Sequence, residues 1–165
     1  MSERSNSLQE VSVVPWDVLL GTCGACETSL DNKGEGVMLY QVASKKDIDR
    51  VCADLQTAIT KRQFGVMAVH NLTETMKKKG VDFERDCRIY EVCNPHKAKL
   101  VLMQEMAIST ALPCRISVYK EGDHVVLATL KPTRLMPMFE GVNLEELAQE
   151  VESVMVDSMN EAAGR

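Results

Sequence analysis

The fold is decided by one stretch, RIYEVCNP at residues 88–95. Alternating apolar and polar positions with β-branched and aromatic residues predict a strand over Arg88–Val92. Asn94 is a preferred N-cap and Pro95 a preferred first helical residue, so a short helix is predicted to about Met106. The stretch therefore places Cys93 at the junction between a strand and a helix.

Outward from this junction, strands and helices alternate on both sides. Ser44, with Asp47 three residues later, predicts the start of a helix that runs to about Arg62 with an apolar stripe of 3.6-residue period. Asn143 and Glu146 predict the start of the last helix. The other predicted elements are strands at Val37–Val42 and Phe64–His70, a helix from Thr73 to Gly80, a hairpin of Arg115–Lys120 and Val125–Leu130, and a loop at Pro132–Phe139. The order β-α-β-α-β-α-β-β-α predicts an α+β fold with an antiparallel or mixed sheet and helices on one face.

The 165 residues are predicted to form two regions. Residues 1–35 are rich in Ser, Gly, Asn and Glu and end in a turn-rich joint, so they are interpreted as an N-terminal extension. Residues 36–165 are predicted to form a single α+β domain, which is an ordinary size for one domain.

Composition excludes several classes of function. The net charge of −5 argues against sequence-independent nucleic-acid binding, which depends on Lys and Arg neutralising phosphates. Apolar runs fall short of the roughly 20 residues that a membrane helix needs, so no membrane association is expected. Glu3, Glu10 and Asp17 are unsuited to an export signal ahead of Cys23. A cytoplasmic protein with reduced thiols is therefore expected.

Ordered motifs along the domain resemble the bacterial and archaeal domain-of-unknown-function family 302. They are FGV at residues 64–66, KGVDF at 79–83, CNP at 93–95 and LPC at 112–114. The resemblance implies an α+β fold laid out like the TATA-binding-protein-like folds, and a homodimer. It implies no established activity. The family usually has Asn after the second cysteine, where this chain has Arg115.

Cys93 is the first candidate for chemistry. Backbone N–H groups and the helix dipole at the strand–helix junction are expected to lower its thiol pKa and to hold a ligand anion beside Asn94. Cys114 follows Pro113 at the start of the hairpin, and the two thiols form one site if their strands are neighbours. Such a pair is suited to a soft metal ion, a sulfane sulfur or a disulfide. The alternative is that Cys93 is an inert, buried thiol.

Cys23 and Cys26 form a C-x-x-C motif in the extension. They supply half of the four ligands of a structural zinc ion. Glu27 stands where covalent haem attachment requires histidine. Redox use and an inert thiol pair remain alternatives. The expected cofactor, if there is one, is a soft metal ion or haem.

His96 and Glu91 are the other candidates for catalysis. His96 lies in the first turn of the predicted helix, near enough in sequence to Cys93 to suggest an activated nucleophile. Glu91 shares a strand face with Cys93 and is expected to pair with Arg115 or Arg88 if that face is buried, with an exposed strand end as the alternative.

Three functions follow from these residues. The first is a dimeric binding or carrier module that holds a metal, haem, sulfur species or small anion near Cys93, Asn94, Cys114 and Arg115. The second is a thiol-dependent enzyme that uses Cys93 for redox or sulfur-transfer chemistry. The third is a scaffold without catalysis whose N-terminal extension binds a partner.

Overall fold

The computed structural model describes residues 38–139 and 141–165. Five strands and five α-helices make up this part of the chain, together with 3-10 segments at Met106–Ala111 and Met136–Met138. The strands are β1 Leu39–Ser44, β2 Gly65–Asn71, β3 Cys87–Cys93, β4 Cys114–Glu121 and β5 His124–Leu130. The helices are α1 Ile48–Lys61, α2 Leu72–Lys78, α3 Pro95–Gln104, α4 Pro132–Leu135 and α5 Glu145–Ala163.

The strands form one antiparallel sheet in the order β1-β5-β4-β3-β2. Two pairings position the candidate site: Val92 lies opposite Cys114, and Glu91 opposite Arg115. Because side chains alternate across a strand, these two pairings lie on opposite faces of the sheet. The α+β fold with an antiparallel sheet is therefore confirmed.

Helices α1 and α5 cover one face of the sheet and enclose the main core. The stripe predicted for α1 is confirmed, since Ile48, Val51, Cys52, Leu55, Ala58 and Ile59 are all buried. The core also includes Tyr90, Val92, Ile116 and Val118 from the central strands and Met155 and Met159 from α5. Burial of these apolar side chains is the main source of stability in such a domain.

Of the three helix starts predicted from side-chain caps, Asn94 before α3 is confirmed, and Ser44 and Asn143 are wrong. Asp47 is the N-cap of α1, where its carboxylate accepts a hydrogen bond from Asp49 N. Ser44 instead ends β1, and its hydroxyl donates to Ala163 O at 3.0 Å, which joins the sheet to α5. Helix α5 begins after Leu144 without a side-chain cap, because packing of Leu144 in a second apolar cluster fixes that end.

This second cluster lies away from the main core. Its buried members are Val101 of α3, Ile108 of the following 3-10 segment, and Leu144. Helix α3 ends at Gln104, two residues before the predicted end at Met106. The segment between Pro132 and Phe139, which was predicted to be a loop, contains α4 and a 3-10 turn. Of the helices described, none combines the length and the hydropathy that a membrane span requires.

Candidate functional site

Cys93 and Cys114 lie on neighbouring strands but are offset by one position. Cys93 ends β3 and Cys114 begins β4, opposite Val92 rather than opposite Cys93. Alternation therefore directs Cys114 toward the helix-covered face, where it packs against the main core, and Cys93 toward the open face. Both are free thiols. The structure brings the two cysteines to the same end of the sheet without making them a directly opposed pair.

The thiol pKa expected for Cys93 is wrong in direction. Burial raises the pKa of Cys93, and burial together with the nearby Cys93 raises the pKa of Cys114 to about 11. The side-chain oxygen of Asn94 accepts hydrogen bonds from the backbone N–H groups of His96 at 3.0 Å and Lys97 at 3.2 Å. Pro95 has no N–H group, so Asn94 occupies the donors that were expected to stabilise a thiolate or a ligand anion.

Among the described residues, no hydrogen bond or ion pair joins His96 to Cys93, and the expected activation of Cys93 by His96 stays a prediction. His96 is exposed in the first turn of α3 and lines a depression of about 350 Å³ with Arg62, Lys97 and Glu150. Lys97 and Glu150 are paired with each other there, at 2.6 Å. The cause of the raised pKa of Cys93 is burial.

Glu91 lies in a cluster of charged side chains on the open face of the sheet. Its Oε1 atom is 3.1 Å from Nε2 of His70 on β2 and 3.9 Å from Nε of Arg115 on β4. Arg115 is thus the arginine that lies near Glu91, although the pairing was expected for a buried face and this face is open. Arg88 lies on the other face and pairs with Asp49 at 2.6 Å. Sequence reasoning did not place His70 in this site, because the number of residues between β2 and β3 does not determine which of their residues lie opposite each other.

A cavity of about 310 Å³ lies beside the start of β4, and its lining is mainly apolar. Cys114 and Arg115 contribute to one wall. Other walls come from the chain before β4, the end of β5, and the segment after it: Thr110, Ala111, Pro113, Leu130, Leu135, Met138 and Phe139. Sequence reasoning missed Leu135 and Phe139, because this segment was predicted to be a loop and gave no sign that it lines a cavity.

A larger depression of about 620 Å³ lies at the start of α5. Its lining includes Thr133, Arg134 and Asn143, and none of its described residues is a thiol or was predicted from the sequence to act in a site. The smaller cavity is the better candidate because it combines an apolar lining with one cationic side chain, which is typical of small-molecule sites.

The metal ligands predicted from the sequence fall outside what the structure describes. Cys23 and Cys26 precede residue 38. Among residues 38–139 and 141–165, no three His, Cys, Asp or Glu side chains are grouped as metal ligands would be.

Comparisons with known proteins agree with the resemblance seen in the sequence. A family model described as "Domain of unknown function DUF302" matches residues 40–162. The chain is also similar to a solved structure described as "Crystal structure of uncharacterized conserved protein DUF302 from Bacillus stearothermophilus". That match has a TM-score of 0.72 and 28% sequence identity, and it covers 76% of this chain and 98% of the other. A search of curated proteins finds no match.

Proposed function

We propose, from the premise that this chain belongs to the DUF302 family, that it is a binding module for a small anion with a short apolar body. The ligand would occupy the cavity beside the start of β4, with its apolar part against Leu130, Leu135 and Phe139. Its anionic group would face Arg115. Of the ligands that the sequence left open, a small anion is the one best suited to these residues.

The observation that carries this proposal is the combination of size, lining and charge in the cavity. About 310 Å³ is at the lower end of the range of small-molecule sites, which suits a ligand of a few carbon atoms. Among the described residues of the lining, Arg115 alone carries a full charge, and its side chain is 66% exposed. A guanidinium can bind a carboxylate with two parallel hydrogen bonds.

A thiol-dependent enzyme has less support. Nucleophilic thiols in enzymes are thiolates near neutral pH, whereas burial raises the pKa of both Cys93 and Cys114. A scaffold function would require the N-terminal extension, which lies outside the described residues. The binding module is therefore the function that the described residues favour.

The proposal is tested with hexanoate and 1-hexanol as probes, by following backbone amide chemical shifts of the full-length protein. We expect both probes to bind in the millimolar range and to shift resonances around Leu130, Leu135 and Phe139. Ala111→Phe should abolish binding, because Ala111 lines the cavity and a phenyl ring would fill it. Ala107→Phe is the matched control, because Ala107 is exposed in the same 3-10 segment.

Binding that is unaffected by Ala111→Phe, or shifts that are scattered over the surface, would overturn the proposal. Loss of binding in Ala107→Phe as well would show that the 3-10 segment is disturbed, and Leu130→Phe would then replace Ala111→Phe as the blocking variant. Leu130 also lines the cavity, and its side chain is 47% exposed, so the larger ring can be accommodated without repacking the core.

We also propose that the protein is a cytoplasmic homodimer, as the family resemblance implies. The described cysteines Cys52, Cys87, Cys93 and Cys114 are all free, which is consistent with a reducing compartment. Leu100, Met103 and Met106 expose apolar side chains that a second subunit could cover. Light scattering of the purified protein at micromolar concentration should give twice the 18.3 kDa chain mass, and the mass of one chain would exclude the dimer.

A further inference from the structure

One carboxylate oxygen connects the cavity to a histidine. Oε1 of Glu91 is 3.1 Å from Nε2 of His70 and 3.9 Å from Nε of Arg115, so both nitrogen atoms approach the same oxygen. Arg115 also lines the cavity, whereas Glu91 and His70 do not. Arg115 thus lies between a fixed internal carboxylate and the place where the anionic group of a ligand would bind.

We propose that Glu91 sets the specificity of this cavity by competing with the ligand for Arg115, and that protonation of His70 relieves the competition. The proposal rests on the binding function given above and adds to it a residue that determines affinity and a dependence on pH. A bound anion is held more tightly when His70 carries a proton, whereas a neutral ligand of the same shape is unaffected.

The charge balance of the cluster gives the reason. With neutral His70, the charges of Glu91 and Arg115 cancel, and an incoming anion gains little. With protonated His70, one carboxylate faces two cations, and the cluster carries one net positive charge. The side chains of Arg115 and His70 are 66% and 49% exposed, so solvent screens this charge and the effect on binding is moderate.

Of the two side chains near Glu91, the distances favour His70 as the one whose protonation changes the cluster. At 3.1 Å, His70 and Glu91 are within hydrogen-bond distance, whereas the 3.9 Å separation of Arg115 from the same oxygen is that of a looser ion pair. Arg115 therefore turns toward a ligand with little loss of contact. Histidine is also the side chain that most readily changes charge between pH 5 and 8.

The other charged groups on the elements around β2 have partners of their own or are exposed to solvent. On β3, Arg88 lies on the opposite face of the sheet from Glu91. Arg88 forms an ion pair with Asp49, and Glu74 forms one with Lys78 on α2. Glu161 pairs with Lys61 at the end of α1 and with Arg62, which follows it. Lys77 and Lys79 at the end of α2 are exposed to solvent. Glu91 is thus the carboxylate that the described structure places against His70.

The test measures the affinities of hexanoate and 1-hexanol for the full-length protein between pH 6 and pH 8, where carboxylates stay ionised. For the unmodified protein, we expect hexanoate affinity to rise as pH falls, by up to about fivefold, which is the size of one partly exposed ion pair. Glu91→Gln should bind hexanoate more tightly at pH 8, and its affinity should rise less toward pH 6, because the competing carboxylate is gone. His70→Gln should keep the affinity at pH 8 but lose the rise toward pH 6.

1-Hexanol should bind all of these proteins equally at every pH. Glu121→Gln, at the far end of β4, is the control for removing a carboxylate from the same sheet. If hexanol binds but hexanoate affinity in Glu91→Gln and His70→Gln follows that of the unmodified protein, the competition is overturned and the binding function stands. If neither probe binds the unmodified protein, the binding function itself is overturned, together with this inference.

Discussion

Cys114 shows how a single residue takes its chemistry from its surroundings. The sequence places it after Pro113 at the start of a hairpin and predicts that it forms one site with Cys93 if their strands are neighbours. In the structure it packs against the main core, and its pKa is raised to about 11 by burial and by the nearby Cys93. A buried thiol resists ionisation because the apolar surroundings do not stabilise the thiolate. Its position in the cavity wall therefore provides shape rather than reactivity.

The rate of thiol alkylation should be lower for the thiol that is more deeply buried. At pH 8 the thiolate fraction of Cys114 is about one in a thousand, because its pKa lies about three units higher. We expect iodoacetamide to modify Cys93 well before Cys114, with the rate at Cys114 rising about tenfold per pH unit up to about pH 11. Mass spectrometry of peptides from timed reactions gives both rates.

Cys93→Ser is the control for the interaction between the two thiols. It removes the charge that helps to raise the pKa of Cys114, so alkylation of Cys114 at high pH should become moderately faster. Modification of Cys114 before Cys93 at pH 8 would contradict the order that burial predicts.

At the scale of elements, the start of α1 depends on one side chain. Asp47 has extended backbone angles, and its carboxylate accepts a hydrogen bond from Asp49 N at 2.8 Å. Such a cap satisfies a backbone donor that has no partner within the helix. Because α1 supplies six buried residues to the protein interior, loss of its first turn weakens the packing against the sheet.

Asp47→Ala should therefore lower the free energy of unfolding by about 1 kcal/mol, the usual cost of removing an N-cap. Asp47→Asn is the matched control, since asparagine caps helices about as well as aspartate does. Urea denaturation followed by circular dichroism gives both values. Equal stability of Asp47→Ala and the unmodified protein would show that the cap contributes nothing.

At the scale of the whole molecule, several buried acids resist ionisation at high pH. Burial is the main cause that raises the pKa of the thiols of Cys87, Cys93 and Cys114 above their ordinary value of 9.0, and that of Tyr90 to about 12. In each case the folded protein favours the protonated form. The unfolded chain therefore loses these protons first as pH rises.

Stability should be fully present below about pH 9 and decline as pH rises toward about 12. Urea midpoints measured between pH 8 and pH 11 under reducing conditions give this dependence. The urea midpoint of Tyr90→Phe should fall less near pH 11 than that of the unmodified protein, because the Phe side chain has no proton to lose. A midpoint that stays constant over this range would contradict the expected linkage.

Much of the fold could be predicted from local patterns. The apolar stripe of α1 has the period of a helix, and Asn94 and Pro95 begin α3 as predicted. Strands β4 and β5 pair as the predicted hairpin. These predictions hold because propensity, capping and periodicity act over a few residues. Ser44 and Asn143 were wrong as caps because tertiary contacts took precedence: a bond to Ala163 in one case, and packing of Leu144 in the other.

The sequence by itself determined the family, the α+β class and the stretch at residues 88–95 that joins β3 to α3. Only the tertiary structure decided that Val92 faces Cys114 and that His70 meets Glu91. The physical reason is register, because a shift of one residue in strand pairing moves every side chain to the other face of the sheet. Pairing over long distances in the chain sets that register, and no local pattern encodes it.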